Sequence, residues 1–429
     1  MELNIDLNGL KRHFFSKNSK KSNEETMSPI KTKIVKHDFY SVNELQICEK
    51  IKSIPYYIAN YYIADSYEYV NISQLNDKYI DKVVKTRYLN ICYKNKEFID
   101  FYAFLMLSTN IKLLIFNIIE SFSYILKGLY VLNEKGICFF NLCPQNIVLY
   151  NGCREKPILQ NFQYSLRYNK LNKEYFTNII EDLNDNYIYK PLEVHVLFYL
   201  IKNDINTISY SFIEEICEIY VNNLSVLSFF SDKYVADYKK CCIETLKQYV
   251  NKDKGEIIEI LLENVETWDL FSLSVLYLHI IGNILQLFSL QGTFISKLFV
   301  ELSKNIHPNP QKRYDLETMR EIYNKLLNEE TDWKYINNLK NDKMPLLIEN
   351  LQKSETSEPA VLVVVTFSYR EVVQIYTKSG GAYVVSRDNF GPVIAQIAAV
   401  ALMLDYIVTV AIQSAAGIDA IISTWNSLH

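Results

Sequence analysis

From Ile111 the chain reads IKLLIFNIIESFSYILKGLYVL, with apolar residues on every side of a 3.6-residue period. That pattern predicts a helix buried all round, and Gly136 is placed to end the turn that follows it. Upstream the pattern is different. KTKIVKHDFY and RYLNICYK are short β-prone runs on either side of SVNELQICEKIKSI, an apolar-periodic stretch that opens on Ser41 and suits a capped helix. A small mixed unit over 28–96 is expected, and a helical pattern takes over after Glu97 and runs to about residue 335. Residues 1–27, with KNSKKSNEE, are charged and rich in Ser and Asn, and read as a mobile N-terminal arm. Farther on, Pro392 to Ile412 supplies about twenty mostly apolar residues, enough to cross a hydrocarbon core of roughly 30 Å.

Composition divides the chain near residue 358. Upstream there are four alanines (59, 64, 103 and 236), whereas the last 72 residues hold ten, so the two parts read as different sequences joined. The polar, proline-marked LQKSETSEPA between them reads as part of a linker over 336–358. At 429 residues with 49% apolar and 22% charged residues, the chain can bury a large core in more than one folding unit. Its net charge of −4 gives no bulk attraction to nucleic acid or an anionic membrane. Eight cysteines without CxxC spacing read as free, mostly buried thiols of a reducing compartment, and the six histidines show no metal-ligand spacing.

Candidate chemistry centres on ICFFNLCPQNIVLY, Ile137 to Tyr150. It resembles the catalytic loop of the protein kinases, His-Arg-Asp-Leu-x-x-x-Asn, with Phe139, Phe140, Asn141 and Leu142 in the first four places and Asn146 in the last. Five further stretches follow the family's order. LQNFQYSL resembles the Asp-Phe-Gly segment as Asn161, Phe162 and Gln163, and YKPLEV resembles Ala-Pro-Glu as Pro191, Leu192 and Glu193. WDLFSLSVLYLHI resembles the buried helix whose aspartate, here Asp269, anchors the catalytic loop. In NPQKRYDLETM, Arg313 stands where the family's arginine pairs with that glutamate. KIVK and VNELQICEKI resemble the ATP-contacting lysine, Lys36, and its helix partner, Glu44, although Lys36 also reads as an ordinary exposed lysine beside a strand. The resemblance implies an α+β, bilobal protein-kinase-like fold with a mainly helical large lobe over 97–335. The stretch at about 195–265, longer than the family needs, reads as an inserted helical subdomain.

The same resemblance implies ATP and Mg²⁺ as cofactors, held by Lys36, Glu44, Asn146 and the residue at Asn161, and here only weakly. Asn141 stands where the proton acceptor belongs, and an amide takes no proton at neutral pH, so a general-base contribution of about 10² to 10⁴ is lost. Asn161 replaces the metal-bridging carboxylate with a neutral oxygen, a poor ligand for a hard cation. Gly9 is the only glycine before residue 128, so a glycine-rich loop over phosphates is missing. Glu193, Asp269 and Arg313 are implied to be structural. The leading expectation is a pseudokinase that binds a protein partner. The rival is a divergent Ser/Thr kinase that transfers phosphate from ATP to a protein substrate.

From Pro359 onward, SYREVVQIYTKSGGAYVVSRDNFGP and ALMLDYIVTVAIQSAAGIDAI resemble part of an amino-acid permease of the amino acid–polyamine–organocation superfamily. The resemblance implies a hydrophobic, transmembrane-type helical segment over 359–429. Residues 392–412 are then a candidate anchor for an otherwise cytoplasmic kinase-like domain, and Asp405 inside the run costs about 2.5 to 3.5 kcal/mol at mid-bilayer unless paired. A fusion fragment without function is the alternative, and a membrane protein defined by this tail is a third reading of the whole chain.

Overall fold

A computed structural model of the protein describes residues 30–356, apart from 71–86, 151–152, 182, 184–188, 203–205, 329–335 and 337. The chain divides into two compact units, Met1–Thr356 and Ser357–His429, and all described residues lie in the first. The arm at 1–27 and the permease-like segment at 359–429 lie outside the described residues.

Strand β1 (Ile30–Lys36) leads directly into helix α1 (Phe39–Lys52). The helix begins earlier than Ser41. Asp38 is its N-cap and accepts a hydrogen bond from the Ser41 amide at 3.0 Å, while the Ser41 hydroxyl accepts from the Asp38 amide at 3.1 Å. Ser41 is thus the third residue of a reciprocal capping box, with an aspartate in the leading place that SVNELQ alone does not reveal. Strands β2 (Ser66–Val70) and β3 (Tyr88–Lys94) complete an antiparallel sheet in the order β1-β3-β2. Lys33 and Val35 pair with Ile91 and Leu89, both fully buried, so all four stand on one side of the sheet, although Lys33 itself is exposed and Val35 half-buried on the edge strand.

A second sheet has the order β4-β6-β7, from β4 (Phe98–Asp100), β6 (Ile147–Tyr150) and β7 (Cys153–Leu159). The two-residue strand β5 (Ile137–Cys138) pairs with β8 (Leu166–Arg167). Between β4 and β5 lie α2 (Phe101–Met106) and α3 (Ile111–Glu134). Helix α3 is capped by Asn110, whose side chain accepts from the Leu113 amide, and the chain leaves it through Gly136 at φ 66°, a left-handed conformation that glycine adopts without a Cβ penalty.

The helical part continues with α4 (Lys173–Glu181), α5 (Leu192–Lys202), α6 (Tyr210–Asn223), α7 (Asp232–Lys247), α8 (Lys254–Leu262), α9 (Trp268–Leu287), α10 (Phe294–Asn305), α11 (Leu316–Asn328) and α12 (Met344–Thr356). Helices α3 and α9 form its centre. Both Ile111–Glu134 and Val265–Leu287 are long and apolar enough to cross a membrane, yet most of that apolar surface is buried inside the fold, so here they are core helices. The Tyr277 hydroxyl on α9 donates to Ser121 on α3 at 2.8 Å, and the Tyr323 hydroxyl on α11 donates to the Ile119 carbonyl at 2.7 Å. Polar tips are thereby satisfied in an apolar interior, where an unpaired hydroxyl is costly.

The stretch from 195 to 265 carries α6 and α7, which pack as a pair. The Tyr238 hydroxyl ties them to the main body by donating to the Ile306 carbonyl at 2.7 Å. Cysteines 48, 92, 138, 143, 217, 241 and 242 form no disulfide, and five of these seven are buried. The stretch at 336–358, expected as a linker, contains α12 instead. Met344, Leu347 and Leu351 recur at helical spacing and are buried against α9 and α2, a short stripe set between the polar flanks NNLKNDK and QKSETSE.

Candidate functional site

The loop from Phe139 to Asn146 is held from below by one carboxylate. Asp269, in the first turn of α9, accepts hydrogen bonds from the backbone amides of Phe139 at 2.6 Å and Phe140 at 2.7 Å. Phe140 sits at φ 63°, a strained region for an aromatic residue, and its amide bond to Asp269 is one of the contacts that hold it there. Burial pushes the Asp269 carboxyl above the ordinary carboxylate range, against the pull of the two amides and of Lys190. The Ser165 hydroxyl donates to the Phe139 carbonyl at 3.0 Å and fixes the other side of the same turn.

The asparagines at the loop's working positions bond to one another. Asn146 donates its side-chain amide to the Asn141 carbonyl at 2.7 Å, and Asn161 donates its side-chain amide to Asn146 Oδ1, also at 2.7 Å. Asn161 stands at φ 65° and ψ 66°, a left-handed conformation that asparagine tolerates. The structure therefore joins the side-chain amides of Asn146 and Asn161 to each other and ties Asn146 to the backbone carbonyl of Asn141. In this arrangement Asn146 Oδ1, the oxygen that would face a cation, accepts from an N–H instead. That donor set does not fit Mg²⁺, which prefers anionic oxygens in an octahedral shell. Among the described residues no cluster of His, Cys, Asp or Glu has the geometry to hold a metal ion.

Below Asn161 an aromatic column runs through the site. The Phe162 ring lies edge-on to Phe139 at 5.1 Å and to Tyr61 at 6.0 Å, with all three buried. Helix α1 is bound to the same segment by Asn43, which sequence reasoning passed over. Its side-chain amide donates to the carbonyls of Gln163 at 3.0 Å and Ser165 at 2.9 Å, and its Oδ1 accepts from the Tyr175 hydroxyl at 2.6 Å. A buried asparagine in VNELQ, one position before the candidate Glu44, was the available signal.

Lys36 and Glu44 are not brought together. Lys36 pairs with Tyr88 and is exposed on the face of the sheet opposite Lys33, since consecutive strand residues point to opposite sides. Glu44 is buried and accepts from the Tyr93 hydroxyl at 2.8 Å. Burial pushes its carboxyl up, with Tyr93 and the nearby Lys33 pulling it down. The cation that senses Glu44 is thus Lys33, displaced from Lys36 by the parity of the strand.

Glu193 and Arg313 form a buried, two-pronged ion pair, with Nη1 to Oε1 at 2.5 Å and Nη2 to Oε2 at 2.9 Å. Trp268 Nε1 donates to the same carboxylate at 3.1 Å, and Arg313 Nε donates to the His307 carbonyl at 2.7 Å. The pair links the start of α5 to the segment before α11. A cavity of about 160 Å³ lies beside it, lined by Glu193, Tyr249, Leu261 and Pro308, away from the asparagine set.

Lys190 was also missed, because YKPLEV draws attention to its proline and glutamate. It is buried, its Nζ has no hydrogen-bond partner, and it lies 4.2 Å from the centre of the Phe140 ring. Desolvation lowers its pKa to about 8, with Cys143, Cys138 and Asp269 opposing the fall. The positive charge thus sits under the loop, packed on its strained residue.

No family model matches the chain. A stretch of 69 residues, 16% of this chain, is 44% identical to a potassium transporter, KimA, of Bacillus subtilis (strain 168), and spans 11% of that protein's length. Part of the chain is therefore similar to a membrane transport protein, in agreement in kind with the permease-like resemblance of its C-terminal segment.

Proposed function

We propose that residues 28–335 form a protein-kinase-like binding module that has lost phosphotransfer, and that the permease-like segment after Pro359 tethers it to a membrane. Six motif resemblances in family order support the kinase-like reading. So do the Asp269 brace on the loop and the Glu193–Arg313 pair, each placed where the resemblance implies a structural role. The observation that carries the loss of chemistry is the Asn161–Asn146 hydrogen bond, which occupies with neutral amides the place where metal-bound phosphates would need carboxylate. A module so arranged works by presenting its surface to a protein partner, and ATP with Mg²⁺ binds it weakly or not at all. The test is a radiolabelled ATP assay on the full chain with Mg²⁺ and Mn²⁺. No transfer above background is expected; turnover that Asn146→Ala abolishes would favour a divergent Ser/Thr kinase instead.

A second reading rests on the similarity to the potassium transporter, which favours a membrane protein defined by its tail. Potassium is the cargo named for that relative, and this chain covers only 11% of its length. Rubidium uptake by potassium-uptake-deficient bacteria expressing the full chain decides this point. Uptake above the vector control would establish transport, and its absence with the protein in the membrane would leave the tether.

A further inference from the structure

We infer that the corner between α2 and α3, with the first turn of α12, is a surface that lies on a lipid bilayer. The inference rests on the reading that the segment following α12 enters a membrane, and it adds a second, peripheral contact made by the folded unit itself.

Four large apolar side chains are exposed there. Leu107, at the end of α2, is 57% exposed; Leu113 and Phe116, one turn apart on the outer side of α3, are 39% and 45% exposed; Leu346 on α12 is 47% exposed. They are not the fringe of the core. Helix α3 buries Ile111, Leu114, Ile115 and Ile118 on its other side, so Leu113 and Phe116 are apolar in excess of what packing needs. The three elements meet at one place: Asn341 Oδ1 accepts from the Ile111 amide at 3.1 Å, three residues before α12 begins, and α12 packs on α2.

Lysines 112, 340 and 343 are exposed around these side chains, Lys343 with its ammonium donating to the Leu287 carbonyl at 2.9 Å, against Asp342 and Glu349. Apolar side chains that can enter the acyl boundary, ringed by lysines that can reach headgroups, are the chemistry of an interfacial membrane contact. The position in the chain selects lipid over other occupants. Helix α12 ends at Thr356, three residues before the apolar, permease-like segment starts, so the element carrying Leu346 is the last one before that segment.

The test is photocrosslinking of the full chain, reconstituted in phosphatidylcholine vesicles with or without phosphatidylserine, using a phospholipid that carries a diazirine in its acyl chain. Adducts are expected within Leu107–Phe116 and Met344–Glu349 as well as in 359–429. Leu113→Glu with Phe116→Glu should lower the corner adducts at least tenfold at an unchanged melting temperature and leave those in 359–429 in place. Phosphatidylserine should raise the corner adducts severalfold. Adducts confined to 359–429 would overturn the surface and leave the membrane reading standing; adducts nowhere would overturn both. Corner adducts that ignore the double substitution would also overturn the assignment.

Discussion

Replacing Lys190 with methionine should stabilise the protein at neutral pH, and the gain should vanish in alkali. The ammonium is fully desolvated, without a hydrogen bond, and its pKa falls from 10.5 to about 8. At about 1.36 kcal/mol per pH unit, that fall corresponds to a penalty of about 3 kcal/mol for carrying the charge. Contact with the Phe140 ring returns about 1 to 2 kcal/mol, and methionine keeps the length of the side chain, so Lys190→Met should gain about 1 to 2 kcal/mol at pH 7. The sign of the pH dependence follows from linkage. Between pH 8 and 10.5 the unfolded chain holds the Lys190 proton and the folded protein has released it, so the parent gains stability across that window. The variant lacks this titration, whereas the other groups titrate in both proteins. Urea unfolding followed by tryptophan fluorescence at pH 7, 8.5 and 10.5 should therefore show the variant's advantage shrinking by about 2 to 3 kcal/mol over the series. An advantage that stays constant with pH, or a destabilised variant at pH 7, would refute the reasoning and mean that attraction to Asp269 offsets the desolvation of the lysine.

Arg313→Ala should cost about 3 to 5 kcal/mol by leaving the Glu193 carboxylate buried with the Trp268 indole N–H as a donor but without its counter-charge, and Glu193→Gln in the same chain should recover part of the loss; thermal melts of the three proteins check this. Asn161→Asp should lower the melting temperature in chelator, because a carboxylate cannot donate to Asn146 Oδ1, and millimolar Mg²⁺ or Mn²⁺ should restore it by binding the new acid; a variant insensitive to both ions counts against a cation site between these residues. Gly282→Ala should destabilise by about 1 to 3 kcal/mol despite the better helix former, since a Cβ there would meet Cγ of Phe229 at 2.6 Å, and the difference between glycine and alanine at 282 should close in a Phe229→Ala background, where that atom is gone.

How much was legible in the sequence depends on whether a residue's role is set by its neighbours in the chain or across it. The all-round apolar pattern of 111–132 determined a buried helix, and Gly136 its exit, because periodicity and left-handed backbone are local properties. The asparagines at 141, 146 and 161 were legible as the absence of acids. Their mutual hydrogen bonds were not: Asn146 reaches back five residues inside the loop, and Asn161 reaches Asn146 because β6 and β7, which separate them, pair antiparallel.

Lys36 came from the resemblance of KIVK, and only the register of β1 on β3 puts Lys33, not Lys36, on the side of the sheet shared with Ile91. Nothing in YKPLEV marks Lys190 as buried; its burial is a tertiary fact, set by Phe140 and Asp269 arriving from other elements. Helix α12 was hidden for a related reason. Its stripe of Met344, Leu347 and Leu351 is too short to assert itself in a polar stretch, and it gains its stability from the grooves of α2 and α9 on which it packs. Local propensity therefore placed the buried helix of 111–132 and its glycine exit, and the packing of distant elements decided that α12 forms and which side chains came to share a site.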